Sequence, residues 1–295
     1  MVVASHWDDD HIRGLGEIVQ RCKHARIALS SAYTTKDFLS IVRAFEPGSM
    51  RRRSGLRELW EIYDYLRREK RPPRYASADR LLWERKSSFP ARVVALSPSD
   101  ADVAAAIEDF RNAYSLAQES ETRDHFSTIK PNDASVVLWV TVGDVTILLA
   151  GDLESKTDPS RGWQAVIETP IWQGTRAVVV KVPHHASADA YEVDMWNKML
   201  VSDVIALVSP FIWGAHSLPT SADRAEVRGH TQYGFLTREP TSSDAELLPA
   251  SRQVLGEAAK EYAVVEVAPG HIRARGNTAS PAEWTIELFD GAVPL

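Results

Sequence analysis

The sequence predicts a mixed α/β fold, on three observations. Short apolar runs rich in Val and Ile recur along the chain, among them VVAS, RIALSSA, ARVVALSP, SVVLWVTV, VTILLAGD and RAVVVKVP. Segments with apolar residues spaced three and four apart lie between several of these runs. Two of the runs are joined by a Gly-Asp pair, the signature of a hairpin. Hairpins alternating with helices exclude an all-parallel barrel and suit sheets covered by helices.

The elements follow in order. Residues 2–5 read as a strand that ends at the charged stretch SHWDDDH. Residues 12–25 read as a helix with Ile12, Leu15, Ile18 and Val19 on one face, and 26–32 as the next strand. Residues 54–71 form a helix pattern with Leu56, Leu59, Trp60, Tyr63 and Leu66 at helical spacing, stopped by Pro72 and Pro73. A strand at 91–98 leads into a helix over 99–118, with Ser99 or Asp100 as its N-cap. Residues 119–134 are polar and loop-like. A hairpin spans 135–152 around Gly143-Asp144. Then come a helix at 163–172, a strand at 176–183, a helix at 190–201, a strand at 204–210 and a helix at 222–232. Residues 262–268, 271–276 and 283–289 read as closing β-structure.

The 295 residues are read as one domain with ample chain for a core. The apolar (44%) and charged (25%) fractions are those of an ordinary soluble globular chain. The single cysteine, Cys22, excludes an internal disulfide and a cysteine-based metal site, and fits a reducing compartment. No apolar run is long enough to span a membrane, and no signal peptide is evident. A cytoplasmic location with no membrane partner is expected. The net charge of −6 argues against non-specific nucleic-acid binding, but it conceals an asymmetry. Residues 50–90 carry twelve Arg and Lys against six Asp and Glu, so this stretch is +6 and the rest is −12. A basic helical insertion at about 48–90 is therefore expected on an acidic framework.

Polar clusters fall at the ends of strands, where α/β proteins build their sites. In SHWDDDH, His6, Asp8 and Asp10 alternate along an extended segment and so point the same way. His11 follows at once. Imidazoles and carboxylates converging on a point make a site for one or two divalent cations. An acidic loop starting a helix would also account for the aspartates, since negative charge favours a helix N-terminus. Two further strand ends argue for the metal. VTILLAGD presents Asp152, and KVPHHAS presents His184 and His185.

Together these motifs resemble the metallo-β-lactamase-fold hydrolases. HWDDDH is similar to their HxHxDH signature with Asp8 in place of the second His, the form typical of the ComEC-type branch. NDAS (132–135), LLAGD (148–152) and KVPHHAS (181–187) match further segments of that branch in the same order. The resemblance covers nearly the whole chain outside the 48–90 stretch. It implies an αββα sandwich and two divalent cations, Zn²⁺ or Mn²⁺, with Mg²⁺ a further candidate. His6 and Asp8 would serve one metal, Asp10 and His11 the second, and Asp152 would bridge them. His184 or His185 would complete the second site, the wider superfamily's VPGH pattern favouring His185. Where the superfamily carries one more His, this chain has Asn132, with His125 nearby as a substitute. Three carboxylates with few imidazoles suit a hard cation. Ala186 replaces the usual Gly of the HHGS segment. His216, in WGAHSLP, would hold a leaving-group oxygen or act as general acid, and Asp10 would orient or deprotonate the attacking water.

The resemblance implies a metal-dependent hydrolase, best fitted to phosphodiesters in nucleic acid or nucleotides. Arg67, Arg68, Lys70 and Arg71, interleaved with tyrosines, would track a DNA or RNA backbone. Hydrolysis of a small non-nucleotide ester or thioester is an alternative. Another is a non-catalytic subunit of a bacterial defence complex whose insertion binds a partner. The family places several strands ahead of the metal motif, whereas here it begins at His6. A start set too far downstream or a trimmed variant of the fold would account for this, and the expectation preferred is that a second protein chain, or another copy of this one, completes that sheet.

Overall fold

The computed structural model of the protein describes residues 1–43, 55–119, 129–213, 216–240, 270–277 and 279–295. It is mixed α/β. A small parallel sheet has the order β1 (Val2–Val3), β2 (Ile27–Ser30), β3 (Arg74–Ala76). The large sheet has eight strands in the order β15-β12-β9-β8-β7-β6-β5-β4. These are β4 (Arg80–Arg85), β5 (Ala91–Ala95), β6 (Leu138–Val142), β7 (Val145–Leu149), β8 (Ala177–Lys181), β9 (Leu200–Val208), β12 (Gly234–Leu236) and β15 (Val293–Pro294). Strands β4 to β7 form an antiparallel meander, and β7, β8, β9 and β12 run parallel.

Alternation along the strands decides which layer covers which face. Val94, Trp139, Leu148, Val180 and Ala206 point to one face, where α6 (Gly162–Glu168) and α7 (Ser221–His230) supply Trp163, Val166 and Val227. Ala95 and Leu138 point to the other face and pack on Ala28 and Ala76 of the small sheet. On that same face Val179 and Ile205 meet Trp284 and Ile286, which belong to the hairpin formed by β13 (His271–Arg275) and β14 (Thr285–Phe289). The outer side of the small sheet is closed by α2 (Leu15–Arg21), α3 (Lys36–Arg43), α4 (Gly55–Arg68) and α5 (Asp100–Glu119). There Val19, Phe38, Ile41, Leu59, Ile62 and Phe110 are fully buried. The layers are thus helices, small sheet, large sheet, helices.

What the sequence sets apart as an insertion is woven into this framework. Helix α4 matches its expected span and buries Leu56, Leu59, Ile62 and Leu66 in the outer core. After the Pro72-Pro73 stop, β3 joins the small sheet and β4 edges the large one. The apolar stripe of α4 faces inward, and its three arginines are matched by Glu58, Glu61 and Asp64.

Other departures have local causes. The helix expected over 12–25 is divided into α1 (Asp9–Ile12) and α2 by Gly14, whose φ of 83° is left-handed. The break re-aims the second segment, so Ile18 is 49% exposed while Ile12 and Val19 are buried. The helix expected over 190–201 is a single π-turn, Met195–Met199, because Leu200 already pairs with Ala177 in the large sheet. Helix α3 occupies a stretch with no element expected. The hairpin β6–β7 turns at Gly143-Asp144 as expected, with Gly143 at a φ of 57°. The strand expected at 262–268 lies outside the described residues.

Candidate metal centre

The parallel strands β7 and β8 end side by side, so the loops that follow them emerge together. The loop after β1 arrives beside them. Ala4 still pairs with Ala28, and Ser5 then accepts a hydrogen bond from the Val136 amide at the start of the large sheet. This junction sets His6 and the aspartates after it against Asp152 and His185.

Asp152 is the hub. Its Oδ2 lies 2.9 Å from His11 Nε2, 3.2 Å from His185 Nε2 and 3.9 Å from His6 Nε2. Its Oδ1 pairs with Lys181 Nζ at 2.9 Å, and its amide donates to Ser135 Oγ. Asp10 Oδ2 reaches His185 Nε2 at 3.0 Å and His11 Nε2 at 3.4 Å. Asp8 Oδ2 stands 3.6 Å from His6 Nε2. One ligand atom from each of Asp10, His11, Asp152 and His185 can be chosen so that all four lie within 4.8 Å of one another. His6 and Asp8 flank this tight group.

The electrostatics are those of a site built for positive charge. Burial raises the Asp152 carboxyl, but the His11 and His185 imidazoles and the Lys181 ammonium outweigh it and hold the group well below the usual range. Asp10 behaves likewise: burial opposes ionisation, and His185 and His11 more than offset it. Asp8 goes the other way. Burial first, then the Asp10 and Asp152 charges, push it up to about 6. His6 is lowered to about 3, chiefly by burial and then by His11. In the absence of metal, hydrogen bonds to Asp10 and Asp152 overcome burial and raise His185 to about 9.

A divalent cation fits these residues. The buried Nε2 atoms of His6 and His11 make no directed hydrogen bond among the described residues. Such orphaned imidazole nitrogens aimed at carboxylates are what a metal would satisfy. The His185 tautomer is also fixed: Nδ1–H donates to the Ser209 carbonyl at 2.7 Å, which leaves Nε2 for the metal. His184, His185 and Ala186 all hold left-handed φ angles of 42°, 54° and 64°. Backbone strain of this kind collects at functional loops, and here it turns one of two adjacent imidazoles inward.

Other expected residues fall elsewhere. His184 turns away from the cluster. Its Nδ1 meets Asp189 at 2.9 Å and lies 3.9 Å from Glu154, because the left-handed loop directs neighbouring side chains apart. Asn132, the candidate extra ligand, spends its amide on Glu154 at 2.9 Å. Glu154 is in turn neutralised by Lys156 at 2.8 Å. His125 lies outside the described residues. His216 opens β11 (His216–Leu218), whose partner in the two-stranded hairpin is β10 (Phe211–Trp213); its side chain lies outside what is described.

The basic residues of α4 are remote from this loop. Gly55, at the start of α4, lies so close to Trp7 that an added Cβ would sit 1.4 Å from the Trp7 carbonyl oxygen. Arg67 is twelve residues further along, about 18 Å of helix rise. Arg67 and Arg68 both pair with Asp64. Arg71 donates to the carbonyls of Cys22 and Ala25. Lys70 holds a left-handed turn after α4, with a φ of 54°. Two residues the sequence reading passes over matter at the centre. Lys181, a lone charge closing an apolar strand, balances Asp152. Phe211 packs its ring 5.2 Å from that of His185.

An open cleft of about 750 Å³ lies over the cluster, its lining including Asp8, Asp10, Asp152, His185, Phe211, Ile212 and Arg238. Comparison with family models, with curated proteins and with solved structures finds no match to this chain.

Proposed function

We propose that the chain is a divalent-metal-dependent hydrolase of the metallo-β-lactamase fold that acts on phosphodiesters. One observation carries the reading. Three imidazoles and three carboxylates from three separate loops converge beneath an open cleft, with two buried imidazole nitrogens that make no directed hydrogen bond among the described residues. The order of layers, helices around two facing sheets, supports the fold assignment.

Asp10, His11, Asp152 and His185 would hold one cation, and His6 and Asp8, with Asp152 between, a second. Bound there, the cations would supply a lowered pKa for water and a Lewis acid for the scissile group. The chain's own residues do the rest. Lys181 and the Ser135 hydroxyl fix Asp152 from behind. The Ser209 carbonyl fixes the His185 ring. Asp10 stays ionised at the cleft floor, where it can orient a water or accept its proton. Asp8, an oxygen ligand where a second His would stand, tilts the set toward a hard cation and supports phosphoryl chemistry over lactam or thioester cleavage.

The test is metal analysis of the purified protein with assays on single-stranded DNA, RNA, cyclic nucleotides and a chromogenic phosphodiester. Bound divalent metal and hydrolysis of one of these, abolished by chelation and by Asp10→Ala or Asp152→Ala, is expected. Full activity in either variant would reject the assignment. A protein that holds metal but cleaves only carboxylic esters would move the reading to the small-ester alternative.

A further inference from the structure

We propose that Arg238 is the substrate-holding cation of the cleft, and that the ligand it takes is the phosphoryl group of a phosphate ester; this rests on the metal-hydrolase reading above. Arg238 is half-buried and lines the same cleft as Asp8, Asp10, Asp152 and His185. The other cations nearby are already balanced, Arg13 by Asp9 at 3.1 Å and Lys181 by Asp152 at 2.9 Å. Arg238 has no carboxylate partner among the described residues. Its neighbour Glu239 is claimed by both guanidinium nitrogens of Arg224, at 2.9 and 3.3 Å. A guanidinium half out of water with no counter-charge among the described residues can be satisfied by an incoming anion through a two-pronged contact.

The platform beneath Arg238 is rigid. The Thr237 amide donates to Val208 at the end of β9, and the Thr237 carbonyl accepts from Gly270. That approach needs glycine, since a Cβ on Gly270 would lie 2.3 Å from the Thr237 oxygen and 2.1 Å from the Ala292 nitrogen. Charge selects the ligand. Empty, the cleft floor presents Asp8, Asp10 and Asp152, with Lys181 paired to Asp152. With divalent cations bound the floor becomes positive, and Arg238 then extends the positive field across the cleft. Phe211 and Ile212 beside it offer an apolar wall for the organic part of the ester. The four cations at the end of α4, in contrast, face no part of this cleft lining.

The deciding experiment is titration of the full-length chain with inorganic phosphate by calorimetry, in the Mn²⁺-loaded state, for wild type, Arg238→Ala and Arg238→Lys. Phosphate affinity is expected to fall at least about tenfold in Arg238→Ala, as loss of a charge-assisted hydrogen bond implies. It should recover in part in Arg238→Lys, with Mn²⁺ stoichiometry unchanged in all three. Equal phosphate affinity in wild type and Arg238→Ala overturns the assignment. So does loss of Mn²⁺ in Arg238→Ala, which would make the residue a prop of the metal site. If the wild type takes up no metal, the metal-hydrolase reading falls, and the same titration is read on the metal-free chain. A wild-type phosphate affinity that drops in Arg238→Ala then upholds Arg238 alone, and no phosphate binding overturns it.

Discussion

His6 and His185 both approach Asp152 Oδ2, and their pKa values shift in opposite directions in the metal-free chain. His6 is fully buried and lowered to about 3. The unfolded chain therefore takes up a proton near pH 6.5 that the folded chain refuses until about pH 3. Its contribution to stability is intact above pH 6.5 and is lost as the pH falls from 6.5 toward 3, on the order of 1 kcal/mol per pH unit. His185 is raised to about 9, so its contribution is intact below pH 6.5 and lost as the pH rises toward 9. Thermal melts in EDTA are expected to show a stability maximum near neutral pH. His185→Gln should flatten the alkaline side alone. An alkaline limb unchanged in that variant would sever the link to His185. Which of the two adjacent histidines turns inward is invisible to spacing, since a strand would send them to opposite faces. The left-handed loop decides it.

At the scale of elements, helix α5 shows how a local signal acquires a distant purpose. Of the two N-cap candidates in the sequence the structure uses Ser99, and Asp102 completes a reciprocal cap with it. Asp102 Oδ2 accepts from the Ser99 amide and hydroxyl, and Ser99 Oγ accepts from the Asp102 amide. The same buried carboxylate accepts from the Gly162 amide and pairs with Arg161, which goes on to Asp133. Asp133 meets Lys156, and Lys156 meets Glu154 beside His184. Asp102→Ala should therefore cost more than a lost cap, about 3–5 kcal/mol, because Arg161 and the Gly162 amide lose a buried partner. Urea unfolding measures this, and a loss near 1 kcal/mol would reduce Asp102 to a cap. Helix α4 gives the contrasting case. Its apolar stripe was legible from spacing, and its packing direction was not. With Arg67 and Arg68 at its far end, the double substitution to Ala should leave turnover of a small phosphodiester unchanged and weaken salt-sensitive binding of single-stranded DNA. A fall in small-substrate turnover would contradict the geometry.

Across the whole molecule, the site lies where the two sheets meet. The Ser5–Val136 hydrogen bond and the Asp152–His11 contact both join elements of the small sheet to those of the large one. A cation bound only by the folded state would act across that junction. At a metal concentration 100 times the Kd it adds about 2.7 kcal/mol. Loading with Mn²⁺ should raise the melting temperature, chelation should lower it, and Asp152→Asn should abolish the difference. No helix among the described residues is long and apolar enough to cross a membrane.

By itself the sequence determined the α/β class, most strands and helices, and the residues from which the centre is drawn. These depend on periodicity, turn chemistry and the crowding of His and Asp at strand ends, all short-range properties of the chain. The tertiary structure alone decided that α4, β3 and β4 belong to the framework, that His185 rather than His184 faces Asp152, that Lys181 balances it, and that Arg238 lines the same cleft. Each of these depends on which segments pack together over long separations. Burial, and with it every shifted charge at the centre, exists only once those segments meet.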